Sequence, residues 1–357
     1  ASIPNLNVVG GYDFVDEYQI DEDNPSIDKN GHGTFVAGII QQVAIGASIL
    51  SYRVTETAEK GDPYLTSEAL KKAARDGVNI INLSIAMDVH APENPFIEII
   101  NEVVHQGIVV VTGAGNAGPN LWTVLSPGTS PNVITVGAAT LEKQIWDMGS
   151  RGPVMGTWAI KPDLVAPGKD IYSWISGNRQ GCASGTSYAT PFVTGATALI
   201  KERYPTWSPS EIKVALTNTA TPLRDSSEQL LPSIEQGSGL LNINKAFNAK
   251  TMIYPNNISF GFIDLSNTPL TLLQSIEIMN TTETPKDYAL RVELDMNTSP
   301  IDVKVPELIH VDGRQATQIP IEIMVQHNNP PGIYTGKILI KENGEELNIP
   351  FIMILQP

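Results

Sequence analysis

Cysteine is nearly absent. The one cysteine in 357 residues, Cys182, excludes any disulfide within the chain and leaves the redox compartment open. Long apolar runs are missing too: none approaches the ~18 residues needed to cross a bilayer, so no membrane span is expected. Basic charge is scarce, with 23 Lys and Arg against 38 Asp and Glu for a formal net charge of -15. No Lys/Arg cluster stands out, which argues against a nucleic-acid partner. The five histidines include no His-Glu-x-x-His pair, so a catalytic zinc is not expected. What is present, 41% hydrophobic and 17% charged residues, suits a chain that folds around buried cores.

Glycine divides the chain: 24 of its 29 glycines lie in residues 1–250 and only five in residues 251–357. In the first part, "VNIINLS" (78–84), "GIVVVTG" (107–113) and "NVITVGAA" (132–139) are almost continuously apolar. Such strands are buried on both faces, as in parallel sheets. Helical patterns at 65–76 and 95–106 alternate with them, which predicts a doubly wound α/β domain. The second part carries short, often alternating runs at 275–279, 288–294, 319–325, 334–341 and 347–355. Turn signals separate them, and Asn343-Gly344 should close a hairpin between the last two. With no helical period between them, these runs predict a small all-β sandwich. The expected domains are residues 1–250 and 251–357, with the change near 247–258.

The stretch "GCASGTSYATPFVTGATALI" (181–200) runs a Gly/Ser/Thr cluster into a helical apolar segment. A plain helix cap, an anion cradle and a nucleophile on a helix end all fit such a pattern. A phosphate-binding loop needs Gly-x-x-x-x-Gly-Lys-Ser/Thr, and here Thr186 follows Gly185 where lysine should stand. The remaining choice depends on the company the stretch keeps. His32 lies between Gly31 and Gly33 ahead of an apolar helical run, and Asn116 follows a buried strand in a glycine-rich turn. Each of the three clusters sets a polar or catalytic-type side chain beside glycine at a strand end or helix start.

Together the stretches "NGHGTFVAG", "NIINLSI", "VVVTGAGNAGP", "SPGTSPNVITVGA", "KPDLVAPG" and "GTSYATPFVTGATAL" resemble the subtilisin-like serine proteases, the subtilases, in the family's order over residues 1–245. The tail is similar to the fibronectin type III-like sandwich of some larger members. The resemblance implies a serine endopeptidase acting through an acyl-enzyme on protein or peptide substrates. It implies Ser187 as nucleophile, His32 as general base, and Asn116 with the Ser187 N–H as oxyanion donors. By the same resemblance, Ser84, Ile85 and Ala86 pair with an extended substrate, and Ala114 and Gly115 line a roomy neutral slot for an apolar side chain. A secreted or cell-surface location follows from it as well.

The chain departs from the family where the catalytic aspartate should be. No Asp-Thr/Ser-Gly motif is present, and "IPNLNVVGGYDFVD" (3–16) matches what normally follows it. The aspartate and a central strand are therefore expected just ahead of Ala1, the chain being a fragment either nicked with its N-terminal part still bound or truncated, and an N-terminal segment or propeptide of the same gene product is the expected partner. Asp13 and Asp16 fall past the motif and are not stand-ins for it. No cofactor is required; the acidic turn Asp21-Glu22-Asp23 is the one candidate for a structural calcium. Cys182 is expected as a small buried packing residue, and Tyr188 stands where methionine is common, without a functional account. The rival reading is an inactive pseudoprotease that binds peptides or acts as a scaffold. Retention of His32, Asn116 and Ser187 together weighs against it.

Overall fold

A computed structural model describes residues 6–21, 23–56, 62–87, 89–90, 94–175, 177 and 179–357. The chain forms two compact units, Ala1–Ser150 with Ala166–Ile212, and Arg151–Val165 with Lys213–Pro357.

In the first unit, β1 (Val8–Asp13), β2 (Tyr18–Ile20), α1 (His32–Val43), β3 (Ile49–Arg53), α2 (Pro63–Arg75), β4 (Ile80–Leu83), α3 (Pro95–His105), β5 (Val109–Gly113) and β6 (Ile134–Ala139) follow one another. The helix starts are written locally. Asp62 accepts the N–H groups of Tyr64 and Leu65 with Pro63 next in line, and Asn94 accepts those of Phe96 and Ile97 with Pro95 next. Both helices bury one stripe: Thr66, Ala69, Leu70 and Ala73 on α2, and Phe96, Ile97, Ile100 and Val103 on α3. Strands β4, β5 and β6 pair in parallel, with Ile80 opposite Val109 and Val111 opposite Ile134. Every residue of β5 and β6 is buried, which explains why their sequences hold so little polarity.

A separate sheet runs β2-β1-β3, antiparallel between β1 and β2 and parallel between β1 and β3. Both β3 and β4 end their sheets, so among the described residues each is paired on one side only. Both strands line a single cavity of about 2110 Å³. Beyond β6 come β7 (Leu164–Pro167), the antiparallel pair β8 (Ile171–Ile175) and β9 (Arg179–Ala183), and the long helix α4 (Thr186–Arg203). α4 packs on β4, β5 and β6 and also on α1. The two helices meet closely because Gly195 has no side chain: a Cβ there would lie 2.6 Å from Cβ of Val43. That contact fixes α1 against α4, each of which begins at a candidate functional residue.

After α5 (Pro209–Asn218), the second unit holds α6 (Ser233–Gln236), α7 (Ile243–Phe247), β10 (Thr251–Tyr254), β11 (Ile258–Asp264), β12 (Leu270–Asn280), β13 (Lys286–Leu294), β14 (Asp302–Lys304), β15 (Leu308–Val311), β16 (Ala316–Val325), β17 (Gly332–Glu342) and β18 (Glu345–Gln356). Its sheets run β10-β12-β16-β14 and β11-β18-β17-β13-β15. Ile278, Ile321 and Ile323 from one sheet share a core with Tyr288, Ile338, Ile349 and Phe351 from the other. Asn343 and Gly344 both take positive φ between the paired Glu342 and Glu345, the two-residue hairpin their sequence predicts. This unit begins upstream of residue 251. Fully buried Lys337 on β17 donates to Ser233 Oγ at 3.1 Å and to the Gly237 carbonyl, while Asp295 accepts the Ser233 N–H at 2.6 Å. Burial pushes the Lys337 ammonium down to about 8, against the pull of Asp295.

Candidate active site

Ser187 lies in the first turn of α4, after Gly185 at the cap position. An α-helix leaves its first N–H groups without intrahelical acceptors, and the chain uses them unequally here. The Thr186 N–H donates to Asn116 Oδ1 at 2.9 Å, and the Thr186 hydroxyl donates to the same oxygen at 3.0 Å. The Ser187 N–H makes no hydrogen bond among the described residues. With its carbonyl oxygen held twice, the Asn116 amide has one orientation: oxygen toward Thr186, and an Nδ2 donor with no acceptor among the described residues. Thr186 Oγ1 also accepts the Gly115 N–H at 3.3 Å, and Gly113 is tight against it. A Cβ on Gly113 would come within 2.9 Å of Thr186 Oγ1.

The nucleophile candidate is further braced by β4 and the segment after it. The Ser187 hydroxyl donates to the Ser84 carbonyl at 3.3 Å, and Ser84 Oγ donates back to the Ser187 carbonyl at 2.9 Å. Asn82 Nδ2 supports Ser84 Oγ at 3.0 Å, and Thr194 Oγ1 donates to Asn82 Oδ1 at 2.7 Å. Strand β4, the β5 end and two turns of α4 are thus joined through small polar side chains.

His32 opens α1, where Gly31 takes φ 94°, a left-handed conformation that glycine adopts without a Cβ clash. The preceding turn is held by one carboxylate. Asp28 accepts the N–H groups of Asn30 at 3.1 Å, Gly31 at 2.7 Å and Thr34 at 2.7 Å. The His32 N–H donates to Asn30 Oδ1 at 3.2 Å. The imidazole itself makes no hydrogen bond among the described residues; its neighbour is the Tyr188 ring, 5.6 Å away between centroids. Burial lowers the His32 pKa below its usual 6.5, with the Asp28 charge pulling the other way. The shift favours the neutral ring, the state that accepts a proton.

His32, Asn116 and Ser187 all line the same cavity, as do Ser84, Ile85, Ala86 and Gly115. Ala114 stands behind them, wholly buried, with its N–H on the Val136 carbonyl and its own carbonyl taken by Leu125. Gly115 is covered on one side, since a Cβ there would lie 2.9 Å from Leu125 Cδ1 and 2.8 Å from Ser150 Oγ. Sequence reasoning missed Asp28, Thr186 and Leu125, although an Asp four residues before His32 carries a cap signal.

Other expectations are placed as follows. Asp13 is buried at the end of β1 and paired with Arg53 at 2.9 Å, and Asp16 meets the same guanidinium at 2.6 Å. Burial works against ionising Asp13, but the Asp16 N–H, the Arg53 guanidinium and the Val15 N–H together hold it below the usual carboxylate range. Both acids are thus committed to Arg53. Asp21 accepts the N–H groups of Asp23 and Asn24, and Glu22 lies outside the described residues. Among the described residues no group of three His, Cys, Asp or Glu side chains is arranged to hold a metal. Cys182 is exposed, which corrects the expectation of a buried packing residue. It lies on β9 opposite Tyr172, on the outward side of a two-stranded ribbon.

The parallel α/β unit thus presents a serine and an imidazole from two helix starts, and an oriented amide, along one cavity. The subtilase family model matches residues 5–239, and the chain belongs to that family. The minor extracellular protease Vpr of Bacillus subtilis (strain 168) is 25% identical over 504 aligned residues, covering 99% of this chain and 62% of that protein. Subtilisin E of the same organism is 33% identical over 257 residues, covering 69% of this chain and 62% of the relative. Subtilisin Savinase of Lederbergia lenta is 31% identical over 253 residues, covering 68% and 85%. The chain spans about 62% of the length of the first two relatives.

Proposed function

We propose that this chain is a serine endopeptidase that cleaves protein substrates through an acyl-enzyme. The observation that carries the reading is the Asn116 amide, turned by Thr186 so that its donor, like the Ser187 N–H, makes no hydrogen bond among the described residues that line the cavity. In this reading the Ser187 hydroxyl leaves the Ser84 carbonyl, turns to His32 and gives up its proton as Oγ bonds to the substrate carbonyl carbon. The carbonyl oxygen becomes an anion that accepts hydrogen bonds from Asn116 Nδ2 and the Ser187 N–H. His32 returns the proton to the leaving nitrogen as the C–N bond breaks. Water then attacks the acyl-enzyme, with His32 again taking and returning a proton. Ser84, Ile85 and Ala86 pair with the extended substrate, and Gly115 borders its side-chain slot.

The carboxylate partner of His32 belongs, in this proposal, to an N-terminal segment or propeptide that pairs with β3 and β4. Two single-sided strands along one cavity support a strand between them. Intact-mass measurement of the native protein checks this: a folded, active species beginning at Ala1 and accompanied by no other peptide overturns it. Residues 1–250 are read as the peptidase domain and 251–357 as a fibronectin type III-like β-sandwich. Secretion is part of the proposal, supported by the extracellular name of one relative; no helix among the described residues is long and apolar enough to cross a membrane. A fluorophosphonate probe tests the activity: labelling that disappears in Ser187→Ala is expected. Failure of the native protein to label favours a peptide-binding scaffold.

A further inference from the structure

The residue after the nucleophile has no role in the chemistry above, yet among the described residues it makes the one ring contact of His32. Tyr188 and His32 have centroids 5.6 Å apart at an interplanar angle of 53°, within the range of favourable aromatic pairs. Tyr188 also meets Phe35, at 4.6 Å and 56°. His32 and Phe35 are three residues apart on α1 and so neighbour each other on its surface. Phe35 is 3% exposed and fixed in an apolar cluster with Ile39 and Ile171. The tyrosine ring therefore rests on an immobile residue on one side and faces the imidazole on the other. Its hydroxyl makes no hydrogen bond among the described residues, so the flat ring is what bears on His32.

We propose that Tyr188 is a positioning residue for His32: a ring carried on the same helical turn as Ser187 packs on the imidazole and fixes its direction over the cavity. The inference rests on the peptidase reading for its consequence, but the contact itself is independent of it. Backbone bonds to Asp28 and Asn30 fix where His32 starts, and they leave its χ1 and χ2 free. A support borne by α4 removes that freedom and ties the base to the helix that carries the nucleophile. Any shift of α1 along α4 then moves the imidazole relative to its support as well as to Ser187. The tyrosine is also part of the surroundings of the imidazole, whose burial lowers its pKa. Asp28, on the loop before α1, is the charged group that acts on the ring.

The test is the titration and ring-proton shifts of His32 by NMR in the native protein and in Tyr188→Phe and Tyr188→Leu, with hydrolysis of a peptide ester in parallel. Tyr188→Phe should reproduce the wild-type titration, shifts and turnover. Tyr188→Leu should move the His32 ring protons as the aromatic neighbour is lost and raise its pKa as water reaches the ring. Turnover should fall roughly 10- to 100-fold, the scale of a small misplacement of a reacting group, with KM within about twofold. If Tyr188→Leu does not fold, Tyr188→Met carries the same expectations. His32 shifts and titration unchanged in the aliphatic variant overturn the proposal, as does a Tyr188→Phe protein as impaired as Tyr188→Leu. A native protein that neither hydrolyses the ester nor takes the fluorophosphonate overturns the peptidase reading instead, and the NMR comparison still decides the role of Tyr188.

Discussion

Ser187 and Asn116 sit in a lattice of hydrogen bonds that runs through Thr186, Ser84, Asn82 and Thr194, whereas the His32 imidazole touches an aromatic ring and makes no hydrogen bond among the described residues. Under the proposed function the difference follows from what each half would have to do. An oxyanion donor has to point one way before any charge develops, and short neutral side chains on β4, β5 and α4 can fix that direction. Each such bond stabilises by only ~1 kcal/mol net, so the precision comes from their number and their rigid supports. A base must change charge in every cycle, and its ring is guided by packing while its backbone is pinned. One half of the site is complete within the described residues. The other is held by its backbone bonds and by an aromatic neighbour.

The largest effect expected from this comparison is on the braced side. Ser187→Ala should abolish turnover by about 10⁶ in kcat, the magnitude a subtilisin shows on losing its nucleophile, with little change in thermal stability. Residual hydrolysis close to wild type sinks the nucleophile assignment. Asn116→Ala should cost roughly 10²–10³ in kcat with KM nearly unchanged, again the scale known from a subtilisin. Thr186→Val sharpens the point. It removes one of the two bonds on Asn116 Oδ1 but keeps the backbone one, for a loss of ~1 kcal/mol and about a fivefold fall in kcat, while the Gly115 N–H that loses its acceptor lowers thermal stability. Steady-state kinetics on the pair decide the order: a Thr186→Val as damaging as Asn116→Ala means that Thr186 does more than orient the amide.

The fold was legible in the sequence where burial is uniform. β5 and β6 are buried throughout, so their apolar runs announce a parallel sheet, and α2 and α3 begin at Asp-Pro and Asn-Pro signals. Elsewhere the pattern fails for physical reasons. β12 begins at Leu270, where Leu270 and Leu273 are exposed, so no alternation marks its first half. β10 lies inside the stretch read as a boundary, and β14 and β15 are only three and four residues long. In the candidate site, His32, Asn116 and Ser187 stand out in the sequence because glycine flanks each of them or lies within two positions. The residues that aim them were not. Thr186 reads as one more hydroxyl in a polar cluster, and its work depends on an asparagine 70 positions away. Tyr188 meets His32 across the packing of α4 on α1, which is close at Gly195 and Val43 and is not written in the sequence around either ring. Cys182 was misjudged from residue type, since a two-stranded ribbon leaves one face open.

The smallest expected effect lies on the pinned side and is a matter of sign. Two influences act on the His32 imidazole: burial lowers its pKa, and the Asp28 carboxylate raises it. Asp28→Asn removes the charge while its carbonyl oxygen still serves the N–H groups of Asn30 and Gly31; the amide nitrogen cannot accept from Thr34. With the raising influence gone, the His32 pKa falls further, and the neutral base persists to lower pH. The acidic limb of kcat/KM should therefore move to lower pH, at a stability cost of about 1–3 kcal/mol for the orphaned Thr34 N–H. Asn116→Ala, which touches no charge, should leave that limb where it is. A pH profile of both variants separates the two halves of the site. If the limb moves up in Asp28→Asn, or shifts equally in Asn116→Ala, then the His32 environment is not the one that Asp28 and the Tyr188 ring define.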